Sequence, residues 1–193
     1  METSDGRRLP ADLVVYGIGV VPETELAEEA GLAIENGIRV DDQLLTSDPD
    51  ISAIGDAASF PSAHTGGRIR LESVQNAADQ ARHVSARLMG ASIGYDALPW
   101  FWSDQGDLKI QIAGLAVPGD DTVELALPGP REKCILRFRG DRLVAVETVN
   151  RPGDHMLARR VLGGTSSPSP VEVSAPGFDL ATWHGAQGLV HTG

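Results

Sequence analysis

One acidic side chain, Asp56, stands where a ligand-binding carboxylate is expected. It follows Gly55 and the apolar run 51–54, and a polar turn at residues 46–50 precedes that run. The pattern predicts a short strand that ends in a Gly-Asp turn. Glycine lets the backbone pass close to a ligand, and open α/β sheets bind ligands at the carboxyl ends of their strands. Asp56 is therefore a candidate binding residue, and an ordinary Gly-Asp turn is the alternative.

A pair of glycines, Gly17 and Gly19, forms the second candidate feature. The pair follows the apolar run 13–16, which predicts a buried strand of a parallel sheet. It begins like the Gly-x-Gly-x-x-Gly loop that holds a dinucleotide pyrophosphate at a helix N-terminus. Val-Val-Pro follows at residues 20–22, and no other stretch has the motif. The sequence therefore contains no complete phosphate-binding loop, and a plain strand-to-loop turn is the alternative for the pair.

The region before residue 94 predicts α/β elements. Its clearest element is a helix over 72–89, with Ser73 as the N-cap and Gly90 as the stop. An apolar stripe at helical spacing should face a sheet or a cofactor. The stripe consists of residues 74, 77, 78, 81, 84 and 88. A short helix over 24–30 and a strand at 37–41 complete this region.

The composition changes near Gly94, and alternating apolar and polar residues then predict short strands. A turn at residues 140–141 joins the last two strands into a hairpin. The predicted strands cover residues 108–113, 122–127, 134–139 and 142–149.

The end of the sequence predicts a helix, a linker, a second short helix and a disordered end. Asp154 is expected to cap a helix that ends at residue 162. A Gly-, Ser- and Pro-rich linker at 163–170 follows, then a short helix at 179–183, with disorder beyond residue 185. The fold class is therefore α/β followed by a small α+β domain.

The composition excludes several classes of function. The net charge of −11 disfavours binding to nucleic acid or to an anionic membrane surface, because phosphate groups are bound by basic faces. No apolar run approaches the ~20 residues of a membrane span and no signal peptide is visible, so a cytoplasmic location is expected. The single cysteine, Cys134, rules out an internal disulfide and is expected to be a buried apolar side chain. The histidines show no metal-ligand spacing.

Five blocks in order resemble the C-terminal half of the FAD-dependent NAD(P)H:ferredoxin and rubredoxin reductases of the pyridine nucleotide-disulfide oxidoreductase superfamily. The second block has the spacing Thr-x7-Ile-Gly-Asp, and the branch that serves oxygenases is the one the sequence resembles most. The blocks lie at residues 13–22, 46–56, 70–77, 98–105 and 149–162. The resemblance implies a partial two-dinucleotide-fold flavoprotein at residues 1–96, a C-terminal reductase domain at 97–163, and a linker and tail at 164–193.

The resemblance also assigns contacts with FAD. Asp56, directly after Gly55, would accept a hydrogen bond from a ribityl hydroxyl. The backbone N–H of Val74, at the helix start capped by Ser73, would point at the pyrimidine oxygens of the flavin. A helix dipole there stabilises negative charge on reduced flavin by about 0.3–1 kcal/mol. An ordinary capped helix is the alternative for Ser73 and Val74.

Aromatic and acidic side chains near this helix receive roles from the same resemblance. Trp102 would pack near the flavin ring, whereas Trp100 and Phe101 are expected in the core. A core aromatic residue between domains is the alternative for Trp102. Glu72 would lie near the nicotinamide of NAD(P)H, and a solvated charge is the alternative there.

In the resembled family both phosphate-binding loops lie in the N-terminal half, and this sequence lacks them. It is therefore expected to be a fragment that binds FAD weakly and is inactive by itself, although Gly17 and Gly19 would let NAD(P)H approach the backbone. In an intact enzyme it would help to pass electrons from NAD(P)H through FAD to a ferredoxin or rubredoxin. A non-catalytic module for redox-partner binding or oligomerisation, or an inactive truncated relict, is the alternative.

Two surfaces suggest partners. Arginines that include Arg137, Arg139 and Arg142 form a candidate docking surface for an acidic ferredoxin, and a solvated strand face is the alternative. Apolar side chains of the incomplete parallel sheet, such as Val14 and Val15, should lead to self-association.

Overall fold

The computed structural model describes residues 1–190 of the chain, which form two sheets with helices beside them. The first sheet has three strands in the order β1-β2-β3, where β1 and β2 are parallel and β2 and β3 are antiparallel. Its elements are α1 (Glu25–Glu29), β1 (Ile38–Arg39), β2 (Ala58–Ser62), β3 (Gly67–Ile69) and α2 (Val74–Leu88).

The second sheet has five antiparallel strands in the order β4-β5-β8-β7-β6. The strands are β4 (Trp100–Gln105), β5 (Leu108–Gly114), β6 (Asp121–Glu124), β7 (Lys133–Arg139) and β8 (Arg142–Val149). The helices that follow are α3 (Pro152–Leu162), α4 (Pro170–Val173) and α5 (Leu180–Val190). The predicted fold class, α/β followed by a small α+β domain, is confirmed. The prediction missed β2, β3 and β4.

The main core lies under the five-stranded sheet. Alternate residues of β7, namely Cys134, Leu136 and Phe138, are fully buried and pack against α3 and the tail. This is the face predicted from the alternation of apolar and charged residues along the strand. Burial raises the pKa of the Cys134 thiol to about 12, so this cysteine behaves as an apolar core group, as predicted. A smaller core under the first sheet includes Val40 and Phe60.

Two predicted strands do not form. Residues 13–16 are exposed and have no regular secondary structure, because no strand within residues 1–190 pairs with them. The run 51–54 makes a single antiparallel bridge between Leu45 and Ser52. A turn replaces the rest, in which the Thr46 N–H donates to the Ile51 carbonyl at 2.9 Å.

Helix α2 begins where the sequence predicts, but its buried face is different. Ser73 caps it, since the Ser73 Oγ accepts a hydrogen bond from the Asn76 N–H at 3.1 Å. The residues of α2 that are fully buried are the polar Asn76 and Gln80. Val74 and Leu88 of the predicted apolar stripe are 70% and 76% exposed. The polar pair therefore forms the most buried part of α2, and Val84 is the residue of the stripe that packs against the core under the first sheet.

The C-terminal part departs from the prediction in three places. Helix α3 begins at Pro152 and not at Asp154, whose carboxylate instead binds Arg151. The segment predicted as linker and tail folds against the main core, where Val173 and Leu180 are buried. A capping box at Ser169 explains α4, which the prediction missed. Helix α5 continues to residue 190 where disorder was predicted, and residues 191–193 lie outside the described part.

Arg139 connects the two regions. Its hydrogen bonds bear on the predicted docking surface formed by Arg137, Arg139 and Arg142. Arg139 donates from Nε and Nη2 to the Asp120 carboxylate at 2.9 Å each, and from Nη1 to the His64 carbonyl at 3.2 Å. These hydrogen bonds lower the pKa of the Asp120 carboxyl below its usual value. Arg137 lies 3.9 Å from Glu147. The predicted docking arginines on β7 are therefore neutralised by internal partners rather than free.

Candidate functional site

The candidate carboxylate, Asp56, lies in a tight 3₁₀ turn formed by Gly55–Ala57. Gly55 has φ +71°, a left-handed conformation that glycine adopts without strain. The Asp56 side chain is exposed and has no hydrogen bond or ion pair within residues 1–190. A carboxylate fixed on a rigid turn and free of partners is available to accept hydrogen bonds from a ligand.

The start of α2 is the second part of the site. The Ser73 side chain satisfies the N–H of Asn76, whereas the amides of Val74 and Gln75 have no partner in the described part of the chain. These free amides lie at the positive end of a helix of 15 residues. They can donate to an electronegative ligand atom, and the helix dipole favours negative charge there.

A chain of buried hydrogen bonds connects the two parts. Gln80 Oε1 accepts from the Gly55 N–H at 2.7 Å, and Gln80 Nε2 donates to Asn76 Oδ1 at 3.2 Å. Asn76 Nδ2 donates to the Leu71 carbonyl at 3.2 Å, just before the helix cap. The Tyr95 hydroxyl donates to Asn76 Oδ1 at 3.3 Å, and burial raises the pKa of Tyr95 to about 12. The turn and the helix start are thus held at a fixed separation.

Arg70 makes a second link between these parts. Its guanidinium donates to the Asp56 carbonyl at 3.0 Å and to Glu72 Oε1 at 2.7 Å, and its side chain is largely buried. Gly37 leaves room for it, since a Cβ there would lie 2.9 Å from Arg70 Cδ. Glu72 is therefore an exposed side chain with an ion pair to Arg70, and its role stays a prediction.

Beside the start of α2 lies a cleft of about 190 Å³ between the two regions. Glu72 and Ser73 line one side, and Phe101 and Trp100 line the other. Phe101 was predicted to be in the core, but it is 42% exposed because it points away from the face that packs on α3. Trp102 is half-buried, its ring 5.8 Å from that of Trp100, and it is not among the residues that line this cleft.

Trp100 packs on α3. Its ring lies 5.7 Å from the ring of His155, and the Arg159 guanidinium sits 4.3 Å above it. The prediction that Trp100 is mainly a packing residue is therefore consistent with its surroundings.

The two glycines near the N-terminus are not brought to the site. Gly17 and Gly19 lie in an exposed segment without regular secondary structure, and a Cβ added to either would meet no atom within 4 Å. Residues 1–190 also contain no group of three or more His, Cys, Asp or Glu side chains placed to hold a metal ion. Over the same residues, none of the helices is both long and apolar enough to cross a membrane.

Sequence reasoning missed the residues that hold the site together, namely Arg70, Asn76, Gln80 and Tyr95. A signal was present for two of them. Asn76 and Gln80 are polar and four residues apart, so they share one helix face with the cap at Ser73. A polar pair in line with a cap and with small residues indicates a buried network rather than solvent. Nothing local in the sequence marks Arg70 or Tyr95.

Comparison with known families agrees with this architecture. Residues 1–81 match the family described as pyridine nucleotide-disulphide oxidoreductase, and residues 100–184 match the reductase C-terminal domain. The chain therefore has a pyridine nucleotide-disulphide oxidoreductase part followed by a reductase C-terminal domain.

Individual relatives are ferredoxin and rubredoxin reductases. The chain is 47% identical to rhodocoxin reductase from Rhodococcus erythropolis over 92% of its own length and 42% of the relative's. A ferredoxin reductase from Rhodopseudomonas palustris has the same fold, with TM-score 0.87 and 49% identity over 93% of this chain and 45% of that one. Putidaredoxin reductase, in a covalent complex with putidaredoxin, matches with TM-score 0.87 and 38% identity over 95% of this chain and 44% of that one. The chain spans about two fifths of the length of these curated relatives.

Proposed function

We propose that this chain forms the C-terminal part of a flavoprotein that passes electrons from NAD(P)H through FAD to a ferredoxin- or rubredoxin-type protein. The observation that carries the proposal is a buried hydrogen-bond network that joins two elements. One is the turn with the unpaired Asp56 carboxylate, and the other is the start of α2 with its unpaired amides. The names of the relatives support the same class of reaction.

The residues present fit part of FAD. Asp56 offers an unpaired acceptor for a ribityl hydroxyl, and the Val74 amide offers an unpaired donor for a pyrimidine oxygen. Bound FAD would supply the hydride and single-electron chemistry. The chain's own residues would orient the flavin, and the dipole of α2 would favour negative charge beside Val74 by about 0.3–1 kcal/mol. In this assignment Gly55 and Ser73 fix the two contacts.

The remaining contacts are part of the same proposal. Glu72 would lie beside the nicotinamide of NAD(P)H, held by its ion pair with Arg70. Gly17 and Gly19 would take NAD(P)H along an open backbone segment. Trp102 would approach the flavin ring from the five-stranded sheet, although Trp100 and Phe101 are the aromatic residues that line the cleft beside Ser73. We propose a cytoplasmic location.

An iron–sulfur electron carrier is the proposed partner. The relatives include reductases that are named for putidaredoxin and for rubredoxin. The β7 arginines no longer support a docking surface, because Arg137 and Arg139 are paired with Glu147 and Asp120. Arg142 and Arg160 are exposed and have no ion pair within residues 1–190, so basic steering of an acidic carrier would rest on them.

A second candidate is a binding module without chemistry. The five-stranded sheet and its helices close a core of their own, which includes Leu136 and Val146. This region has the architecture to dock a redox protein or a second copy of the chain without holding a cofactor. Retention of flavin separates this candidate from the first one.

The test uses a fusion of the chain to the portion of rhodocoxin reductase that lies outside the matched region, which we expect to supply the phosphate-binding loops. Asp56→Ala should speed FAD release about ten- to a hundredfold, because a hydrogen bond to a charged acceptor contributes about 1.5–3 kcal/mol. Recovery of flavin fluorescence after dilution measures the release rate.

The matched control is Asp50→Ala, which removes the same charge from an exposed turn six residues away. It should leave FAD release unchanged. The 193-residue chain alone should bind FAD only weakly, since one such contact falls far short of the ~12 kcal/mol of nanomolar retention. A fusion that purifies without flavin, or equal release from the Asp56→Ala variant and its parent, would contradict the proposal.

A further inference from the structure

Gln80 occupies a position that packing alone does not explain. Its side chain is fully buried in the second turn of α2, where an apolar residue of similar size would fill the same space. Both polar atoms of its amide are used, Oε1 by the Gly55 N–H at 2.7 Å and Nε2 by Asn76 Oδ1 at 3.2 Å. A buried amide that is satisfied at both ends fixes the orientation of the groups that it joins.

The hydrogen bond to Gly55 controls the turn that carries Asp56. Gly55 has φ +71°, and this conformation directs its N–H into α2 rather than toward solvent. An apolar side chain at position 80 would leave that N–H buried and unpaired. The turn would then relax to find another acceptor, and the carboxylate of the next residue would move with it.

The other end of the amide leads to the helix start. Asn76 receives the Gln80 Nε2 hydrogen bond, donates to the Leu71 carbonyl, and binds the Ser73 cap through its own N–H. The free amide of Val74 lies within this cap. Gln80 and Asn76 therefore form one continuous link between Asp56 and Val74, the two proposed flavin contacts.

We infer that Gln80 is a positioning residue, which sets through Asn76 and Gly55 the separation at which Asp56 and the Val74 amide bind one flavin. The inference rests on the proposed function. Gln80 itself does not touch the cofactor in this scheme, and it acts only through the turn and the cap.

The first measurement needs no flavin. In the 193-residue chain, Gln80→Leu should raise the hydrogen-exchange rate of the Gly55 amide about tenfold or more, followed by NMR, because its acceptor is lost. The control is Thr148→Val in the other sheet, which removes the 3.2 Å hydrogen bond that the buried Thr148 hydroxyl donates to the Gln111 carbonyl on β5. It should leave exchange at Gly55 unchanged.

The second measurement uses the FAD-loaded fusion with rhodocoxin reductase. Gln80→Leu should speed FAD release about tenfold and shift the visible flavin spectrum, whereas Thr148→Val should do neither. Gln80→Glu adds a pH signature. A protonated acid accepts and donates as the amide does, but an ionised one cannot donate to Asn76. FAD release from this variant should therefore slow toward the parent rate as the pH falls.

The outcomes are separable. Unchanged exchange at Gly55 in Gln80→Leu would overturn the positioning role, whatever the flavin does. Equal effects of Gln80→Leu and Thr148→Val on FAD release would also overturn it, because they would reflect general destabilisation. Failure of the proposed function would appear instead as unchanged FAD release in Asp56→Ala.

Discussion

The two regions of this chain differ in how they bury their apolar residues. In the C-terminal region, five strands pair with one another, and Leu136, Phe138 and Val146 are fully excluded from solvent. In the N-terminal region, Leu13 and Val15 are 79% and 86% exposed, and they have no strand beside them in the described structure. The C-terminal region closes a core of its own, whereas the N-terminal region leaves apolar side chains exposed.

The candidate site lies where these regions meet. The Gly55–Asp56 turn and the start of α2 belong to the N-terminal region, and Trp100 and Phe101 belong to the second sheet. The turn and the helix are connected by hydrogen bonds of Gln80 and Arg70, although the apolar side chains of residues 13–16 in the same region are exposed. A local hydrogen-bond network thus connects the two candidate contact groups in a region with a small core.

The largest expected effect contrasts two leucines. Leu136→Ala should lower the free energy of unfolding of the C-terminal region by about 2–5 kcal/mol, because it leaves a cavity in a closed core. Leu13→Ala makes the same chemical change at an exposed site and should alter it by no more than about 0.5 kcal/mol. All three tryptophans, Trp100, Trp102 and Trp183, lie in the C-terminal region, so urea unfolding followed by tryptophan fluorescence reports on it. Similar losses in both variants would break the contrast between the regions.

The next effect concerns the exposed apolar segment, defined as residues 13–21. Its side chains should bury one another between two copies of the chain, so that the protein self-associates. Val15→Asp with Val21→Asp should weaken this association at least tenfold, since burial of each valine contributes about 1.5–3 kcal/mol. Light scattering after gel filtration over a range of concentrations measures the change.

The control for self-association is Val171→Asp, an equally exposed valine in the C-terminal region. It should leave the association constant unchanged, because α4 presents no comparable apolar segment. A parent chain that is monomeric at every concentration would show that the exposed segment does not bind a second copy.

The sequence predicted β5, β7 and β8 of the C-terminal region because their signals are local, although it missed β4 and α4. The alternation in β7 and β8 and the turn at Gly140-Asp141 define a hairpin with few alternatives. The helix start at Ser73 was also local, since a cap is recognised from adjacent residues. Alternation, turns and caps depend on residues that are adjacent in the sequence, so one sequence is enough to predict them.

The failures have a different physical origin. The strands predicted at residues 13–16 and 51–54 need neighbouring strands, and periodicity cannot say whether these are present. The site was predicted as contact points but not as a network, because the bond from Gly55 to Gln80 spans 25 residues. Arg70 acquires its role only after the fold brings the Asp56 carbonyl and the Glu72 side chain within reach of its guanidinium.

The smallest expected effect is a pH dependence that belongs to the C-terminal region alone. His155 is buried against Trp100, and neither of its ring nitrogens has a hydrogen-bond partner among the described residues. Burial, together with the nearby Arg159 charge, lowers the pKa of His155 below its ordinary value of 6.5. Between the lowered pKa of His155 in the folded state and its ordinary pKa in the unfolded state, the unfolded state binds more protons than the folded state. The free energy of unfolding should therefore fall as the pH drops below about 6.5, with a slope of at most ~1.4 kcal/mol per pH unit.

Removing the imidazole tests the origin of this slope. His155→Leu fills the same apolar site without a titrating group, so the variant should lose the fall in stability between pH 7 and pH 5.5, as measured by urea unfolding at each pH. The control, His184→Leu on α5, lies outside the buried cluster and should keep the slope of the parent. If His155→Leu retains the full fall in stability between pH 7 and pH 5.5, His155 is not its origin. Carboxylates such as Asp120 act in a different window, because a depressed carboxyl pKa makes stability fall only as the pH drops into the ordinary range of an aspartate. The pH at which stability begins to fall therefore distinguishes a histidine buried in a closed core from an ion pair at the junction of the two regions.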